Sequence, residues 1–235
     1  MFSQKGADVS ALLFIARNMT NPPPPVQRLR LTYSKKEDAR YIGHLDEARF
    51  WERVFRRVDL PMAYTHGFHP QARLQFAAAL PVGVAGENEL LDIWLAQRIE
   101  PEAWLAAIAR NLPPGFTAKK LLEVPLKLPA MQASLRAAVY LVCWEHTSGD
   151  KLAARAQKLL AEQEILRPHF KKPGKTYNLR PRIQTIEALP EAPNCLRMLL
   201  QAGSQGNARI NEVIAAMELD EQAHTILRER LILEE

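Results

Sequence analysis

Cysteine is scarce in this sequence. Cys143 and Cys195 are the two cysteines among 235 residues, and both lie in apolar stretches with a strand-like pattern. An unpaired thiol in such a stretch behaves as a small hydrophobic side chain. A disulfide between the two is compatible with the sequence, but nothing indicates the dense disulfide framework of a small secreted protein. We therefore predict two reduced core cysteines and a cytoplasmic protein.

A long apolar segment is also missing. The longest apolar run near the N-terminus extends from Val9 to Ala16 and is interrupted by Ser10. It is too short to cross a bilayer, and no convincing signal-peptide cleavage site follows it. We therefore predict that no part of the chain enters a membrane.

Neither sign of charge dominates the composition. The chain has 31 basic and 26 acidic residues, a formal net charge of +5, which is a weak argument for a nucleic acid partner. The distribution of charge is more informative, because the segment from Arg167 to Arg182 contains six Lys or Arg residues and no acidic residue. This segment is either a surface that binds an anionic partner or a solvated basic hairpin that binds none.

The order of predicted elements indicates the α+β class. Strand, helix, strand, strand, helix and strand follow one another in the first half, and the same order recurs about one hundred residues later. We predict two tandem ferredoxin-like halves, each an antiparallel sheet with its helices on one face. Their boundaries are residues 27–125 and 135–235, the second with a basic insertion, after a flexible tail of residues 1–26 with a proline joint.

The stretch from Arg28 to Pro81 holds most of the unusual polar residues. Its central helix, predicted from about Leu45 to Val58, has an apolar arc that includes Trp51 and Phe55. Four arginines lie on the opposite arc of this helix: Arg49, Arg53, Arg56 and Arg57. One face of the helix therefore packs, and the other is a basic stripe.

Around this helix lie several short motifs in a fixed order. They are Arg28 and Arg30 in the first strand, Arg40-Tyr41-Ile42-Gly43-His44-Leu45-Asp46, Arg56-Arg57, Leu60-Pro61, Tyr64-Thr65-His66-Gly67-Phe68-His69-Pro70 and Ala79-Leu80-Pro81-Val82-Gly83. In these motifs the chain resembles the bacterial radical SAM-linked, or radical SAM-associated, family. That family is a domain of unknown function encoded beside, or fused to, a radical SAM enzyme. The resemblance runs from Val26 to the C-terminus and is weak beyond Leu95.

The resemblance implies an accessory role. A radical SAM enzyme holds an iron-sulfur cluster through three closely spaced cysteine thiolates, and this chain has two cysteines that are far apart in sequence. We therefore expect a non-catalytic protein without a cofactor of its own, which acts with a radical SAM enzyme in trans.

The histidines allow two other kinds of chemistry. His44, His66 and His69, with Asp46, are residue types that bind metals. However, the spacing of His66 and His69 is not a known metal-ligand spacing, and Asp46 is explained by the helix dipole, so we predict no metal. Acid-base cleavage of RNA by a histidine is the other alternative, because the pKa of histidine lies near neutrality.

Our preferred interpretation is a cationic surface that contacts phosphates. The guanidinium group of arginine suits bidentate phosphate contacts, and ferredoxin-like sheets commonly bind RNA. The surface would bind RNA or present a substrate, and the alternatives are a protein-protein adaptor without nucleic acid and a small RNA-processing enzyme that uses a histidine. The candidate RNA- or partner-binding residues are Arg28, Arg30, Lys35, Lys36, Arg40, His44, Arg49, Arg53, Arg56, Arg57, His66, His69, Lys171, Lys172, Lys175, Arg180 and Arg182.

Overall fold

The computed structural model describes residues 23–169, 173–219 and 224–234. Most of the predicted tail, up to residue 22, lies outside the described residues. So do Lys171 and Lys172 of the candidate surface.

The first half has the order strand, helix, strand, strand, helix, strand. Its elements are β1 (Gln27–Lys35), a 3₁₀ turn (Glu37–Tyr41), α1 (His44–Arg57), β2 (Leu74–Phe76), β3 (Ala85–Leu95), α2 (Pro101–Arg110) and β4 (Phe116–Val124). Pro101 occupies the first turn of α2, where its fixed φ and missing N–H are tolerated.

The second half repeats this order and adds a small hairpin. Its elements are α3 (Met131–Ser134), β5 (Leu135–Trp144), α4 (Gly149–Ala161), β6 (Leu166–Pro168), β7 (Thr176–Asn178), a 3₁₀ turn (Arg180–Arg182), β8 (Ile183–Leu189), β9 (Ala192–Gln201), α5 (Ile210–Ala216) and β10 (His224–Leu233). The hairpin of β6 and β7 carries the predicted basic insertion and forms a separate two-stranded sheet.

The strands of both halves form one continuous sheet. Its order is β4-β1-β3-β10-β5-β9-β8, and β2 also pairs with β3. The α+β class is therefore confirmed, with a sheet that is antiparallel except where β10 runs parallel to β3. There, Leu227 lies opposite Ala85 and Arg228 opposite Gly86. Because β2 covers β3 only from Leu91 to Ile93, the start of β3 has a free edge for β10, which satisfies backbone groups that would otherwise be unpaired.

Each half has its own hydrophobic core. In the first half, Trp51, Val54 and Phe55 of α1 are buried against Leu31 of β1 and Ile93 of β3. Successive residues of a strand point to opposite faces, so the odd-numbered residues of β1 face α1, while Arg28 and Arg30 lie on the other face. This alternation determines where the charged residues of β1 are found.

The second core extends into the first half. It is built around Trp144 of β5, Leu152 of α4 and Leu196 of β9. Ala77 and Leu80, from the segment between β2 and β3, are buried in the same core. The two halves therefore share apolar contacts as well as a sheet.

The prediction of reduced cysteines is wrong. Cys143 of β5 and Cys195 of β9 are direct partners in the antiparallel register, and they form a disulfide with a Cα–Cα distance of 4.1 Å. They are 52 residues apart in sequence, so the pairing depends on which strands are neighbours and not on any local motif. The cytoplasmic location, which was inferred from reduced thiols, stays a prediction.

Across the described ranges, none of the helices combines the length and the apolar character that a membrane crossing requires.

Candidate nucleic-acid interface

Two of the candidate arginines are bound to a carboxylate inside the protein. Arg28 is 1% exposed and donates from Nε and Nη2 to Oδ2 of Asp92, at 2.9 and 2.5 Å. Arg30 donates to both oxygens of the same carboxylate, at 2.8 and 3.0 Å. Arg28 also donates to the carbonyl oxygens of Leu128 and Pro129. The expectation that Arg28 contacts a partner at the surface is therefore wrong, because its charge is buried and paired.

Lys35 is also not a surface residue. Its Nζ donates to Oε2 of Glu47 and to the carbonyl oxygen of Ile42, both at 2.7 Å, and its side chain is 0% exposed. The hydroxyl of Tyr33 donates to the other oxygen of Glu47 at 2.5 Å. Burial, followed by the charge of Glu47, raises the pKa of Tyr33 well above its ordinary value. This cluster attaches the start of α1 to β1, and the predicted role of Lys35 in binding is wrong.

The four arginines of α1 are exposed, but two of them are paired within the helix. Arg49 is 3.3 Å from Asp46, and Arg56 is 2.5 Å from Glu52, at spacings of three and four residues. Their side chains are 71% and 60% exposed. Because these carboxylates lie on the same helix face, they neutralise much of the charge that Arg49 and Arg56 would present to a ligand.

Arg53 and Arg57 differ from these two. They are exposed, and together with Arg110 at the end of α2 they line a groove of about 460 Å³. Within residues 23–169, 173–219 and 224–234, no carboxylate forms an ion pair with any of the three. The remaining lining residues are Phe50, Val54, Asn111, Leu112 and Pro113. We call this surface the arginine groove.

The candidate residues around the start of α1 differ in how far they are available for binding. Lys36 and Lys119 both pair with Glu87, and their hydrogen bonds lower the pKa of the Glu87 carboxyl. Arg40 lies over the ring of Tyr41, 4.9 Å from its centroid. The ring of His44 packs edge-on against Phe76 at 5.0 Å. Of these candidates, Lys36 shares the carboxylate of Glu87 with Lys119, Arg40 is half-buried and His44 is exposed.

The basic segment of the second half is held by its own neighbours. Arg180 donates to the carbonyl oxygens of Leu160 and Ile183, at 2.9 to 3.1 Å, and so joins α4 to β8. Arg182 lies 4.3 Å from the ring centroid of Tyr177 and donates to the carbonyl oxygen of Asn207 at 3.0 Å. Lys175 is exposed. None of these contacts reaches the arginine groove, so the structure does not bring the two predicted basic regions together.

Residues 65–71, which we call the histidine loop, are exposed to solvent. An isolated bridge between Tyr64 and Ala72 closes its base, and His66 and His69 flank Phe68, which is 101% exposed. In the part of the chain that the structure describes, no three His, Cys, Asp or Glu side chains lie close enough together to hold a metal ion. The loop therefore presents an aromatic ring and two imidazoles to solvent.

Sequence reasoning missed two arginines, Arg110 in the arginine groove and Arg228 in the interior. Arg110 has no motif around it and joins the groove only because the end of α2 lies beside α1. Arg228 of β10 is 2% exposed and donates to Oε1 of Glu89 at 2.8 Å, across 139 residues of sequence. No local sequence signal could have revealed the position of either arginine, since both positions depend on the tertiary packing of distant segments.

Comparison with known proteins gives a family but no activity. A model of a bacterial family described as "Uncharacterized protein conserved in bacteria (DUF2344)" matches residues 28–210. No curated protein matches the sequence. A solved structure titled "Crystal Structure of a Cbf5-Nop10-Gar1 Complex" is similar with a TM-score of 0.45 and 12% identity over 92% of this chain. The alignment spans 50% of that structure's chain. Since the family model covers most of the sequence, the chain belongs to this uncharacterized bacterial family.

Proposed function

We propose that this protein is a non-catalytic accessory protein that binds RNA through the arginine groove. The observation that carries the proposal is that Arg53, Arg57 and Arg110 line one groove without forming an ion pair to a described carboxylate. Unpaired guanidinium groups on one surface create a positive potential that attracts polyanions. Arginine also matches the geometry of a phosphate better than lysine does.

Pairing elsewhere in the molecule supports this choice of surface. Arg28, Arg30 and Arg228 have buried carboxylate partners, and Arg49 and Arg56 have partners on their own helix. The formal charge of +5 is therefore not spread evenly over the surface. A sugar-phosphate backbone, which is read without base specificity, is the ligand that three neighbouring arginines suit.

The experiment compares two pairs of substitutions on the same helix. We expect Arg53→Ala with Arg57→Ala to weaken binding of a 20-nucleotide single-stranded RNA by roughly tenfold or more at low salt, as measured by fluorescence anisotropy. The matched control is Arg49→Ala with Arg56→Ala, which removes the same charge from paired sites and should weaken binding severalfold less. Equal losses in both variants would exclude a special role for the groove.

A protein partner is the second candidate, and a different surface favours it. Tyr41, at the end of the 3₁₀ turn before α1, is 56% exposed, and Leu45, in the first turn of α1, is 73% exposed. Val82 is 62% exposed. The N–H of Gly83 donates to the carbonyl oxygen of Arg40, which brings the segment of Val82 beside the start of α1. Exposed apolar side chains that cluster are typical of protein-binding sites.

The motifs that resemble the radical SAM-linked family suggest that the protein partner is a radical SAM enzyme. We expect the protein, purified from its native cell, to carry a radical SAM enzyme that mass spectrometry identifies. Leu45→Asp should release that enzyme and leave RNA binding unchanged, whereas Arg53→Ala with Arg57→Ala should do the reverse. Loss of the enzyme in the arginine variant alone would show that the groove is the protein-docking surface.

We also propose that each half is a ferredoxin-like unit. Strands of the first half follow the order β4-β1-β3-β2 and those of the second half β10-β5-β9-β8, so corresponding elements occupy corresponding places. This correspondence supports two ferredoxin-like units fused edge to edge through β3 and β10. An experimental structure in which the two halves superpose element by element would test it.

A further inference from the structure

A cavity of about 780 Å³ lies where the two halves meet. Ala77, Ala78 and Ala79 from the first half line one part of it, and residues 202–204 and 207–212 from the second half line another. Tyr140 of β5 and Arg228 of β10 also line it. The volume falls within the range of about 300 to 1,000 Å³ that is usual for small-molecule sites.

Buried hydrogen bonds hold the first wall in place. Arg228 donates to the carbonyl oxygens of Ala78 and Ala79, at 3.0 and 3.2 Å, while its Nε bonds to Glu89. Three consecutive alanines project no more than a Cβ into the space, so the wall is fixed and the volume is left open. Such a preformed wall reduces the free energy needed to order the site when a ligand binds.

The charges around the cavity are balanced. The guanidinium of Arg228 is paired with the carboxylate of Glu89, and Arg209 is 3.3 Å from Glu212 at the rim. A ligand that enters the cavity therefore meets little net charge. This balance favours an uncharged ligand over an anion, in contrast to the arginine groove.

Beside the charged pair at the rim, several side chains at the mouth carry neutral polar groups. No described residue forms a hydrogen bond with the side chain of Ser204, Asn207 or Asn211, all of which are exposed lining residues. Gln132 makes one long contact of 3.3 Å, to the carbonyl oxygen of Phe76. A side-chain amide both donates and accepts, so these residues suit a ligand edge that carries donors and acceptors side by side.

We propose that this cavity binds a nucleobase, either in a free nucleoside or as an unpaired base of RNA. A base has apolar faces for the alanines, Pro81 and Ile210, and an edge with mixed donors and acceptors for the amides. For the RNA source, the inference rests on the proposed function; for a free nucleoside it does not.

The test uses calorimetric titration of the full chain with adenosine, guanosine, cytidine and uridine. Asn211→Leu places an apolar side chain at the mouth on the exposed face of α5 and should weaken nucleoside binding at least tenfold. Gln205→Leu is the matched control, because Gln205 is exposed but does not line the cavity. We expect the Gln205→Leu variant to bind nucleosides with the same affinity as the native protein.

A second arm identifies the source of the base. Single-stranded RNA that contains 2-aminopurine should change its fluorescence on binding, and Asn211→Leu should abolish that change if a base of the RNA enters the cavity. The variant Arg53→Ala with Arg57→Ala should bind nucleosides as the native protein does. If this variant fails to bind RNA, the failure is due to the arginine groove and not to the cavity. The proposal is overturned if no nucleoside binds at millimolar concentration and the 2-aminopurine signal is the same in native protein and Asn211→Leu.

Discussion

Two of the candidate residues, Arg28 and Lys35, are buried, and each is paired with a buried carboxylate. Arg28 and Lys35 look like surface residues in the sequence, because lysine and arginine are rarely buried without a partner. Their partners exist, but Asp92 is 64 residues from Arg28 and Glu47 is 12 residues from Lys35. The period of β1 predicts on which face each residue lies, whereas the identity of the carboxylate opposite it depends on the packing of other elements.

Asp92 offers a direct test of this buried cluster. Asp92→Asn keeps the shape of the side chain but leaves the guanidinium of Arg28 without a counter-charge in the interior. Removing one member of a buried pair typically costs about 3 to 5 kcal/mol, so we expect a loss of that size in the free energy of unfolding, measured in urea. Asp46→Asn, which breaks the exposed pair with Arg49, should cost less than about 1 kcal/mol. Similar losses in the two variants would show that the buried pair of Asp92 contributes no more to stability than the exposed pair of Asp46.

Glu87 gives a prediction for pH. The hydrogen bonds from Lys119 and Lys36 lower its pKa in the folded protein, so the stability that it contributes is present above the unfolded pKa of about 4.3 and is lost as the pH falls through the lowered folded value. Glu87→Gln should therefore be less stable than native protein by about 1 kcal/mol or less at pH 7. The gap should close as Glu87 becomes protonated at low pH. A gap of constant size across the titration would show that packing, and not charge, is responsible.

Helical periodicity correctly predicted the first helix and its two faces. The predicted helix from Leu45 to Val58 is α1, His44–Arg57, with Trp51 and Phe55 buried and Arg49, Arg53, Arg56 and Arg57 exposed. Periodicity could not separate the arginines that have partners from those that form the groove. Arg110, which completes the groove, comes from another helix.

The loop after α1 contains a glycine whose backbone conformation is unfavourable for other residues. Gly67 has a positive φ of 123°, and a Cβ at this position would meet no atom within 4 Å. Gly67→Val should therefore lower the free energy of unfolding by about 1 kcal/mol or more through backbone strain alone. Phe68→Ala, in the neighbouring exposed side chain, should change it by less than about 0.5 kcal/mol. An unchanged denaturation midpoint for Gly67→Val would show that the loop adopts another conformation.

At the scale of the whole molecule, sequence predicted the α+β class and the order of elements but not how the halves join. The parallel contact of β3 with β10, the disulfide between β5 and β9 and the cavity at the junction all connect residues that are distant in sequence. No local pattern encodes which strand edges meet, since register depends on the assembled sheet. The arginine groove and the cavity are therefore properties of the assembled molecule more than of any one motif.

The salt dependence of RNA binding tests whether the arginine groove contacts phosphates. Each phosphate contact that is lost lowers the slope of log affinity against log salt concentration by about 0.7 for a single strand. If Arg53 and Arg57 each contact a phosphate, Arg53→Ala with Arg57→Ala should have a slope shallower than native protein by about 1.4, and Arg49→Ala with Arg56→Ala a slope much closer to native. Circular dichroism should show that both variants are folded. Identical slopes for native protein and the groove variant would contradict direct phosphate contact by the arginine groove.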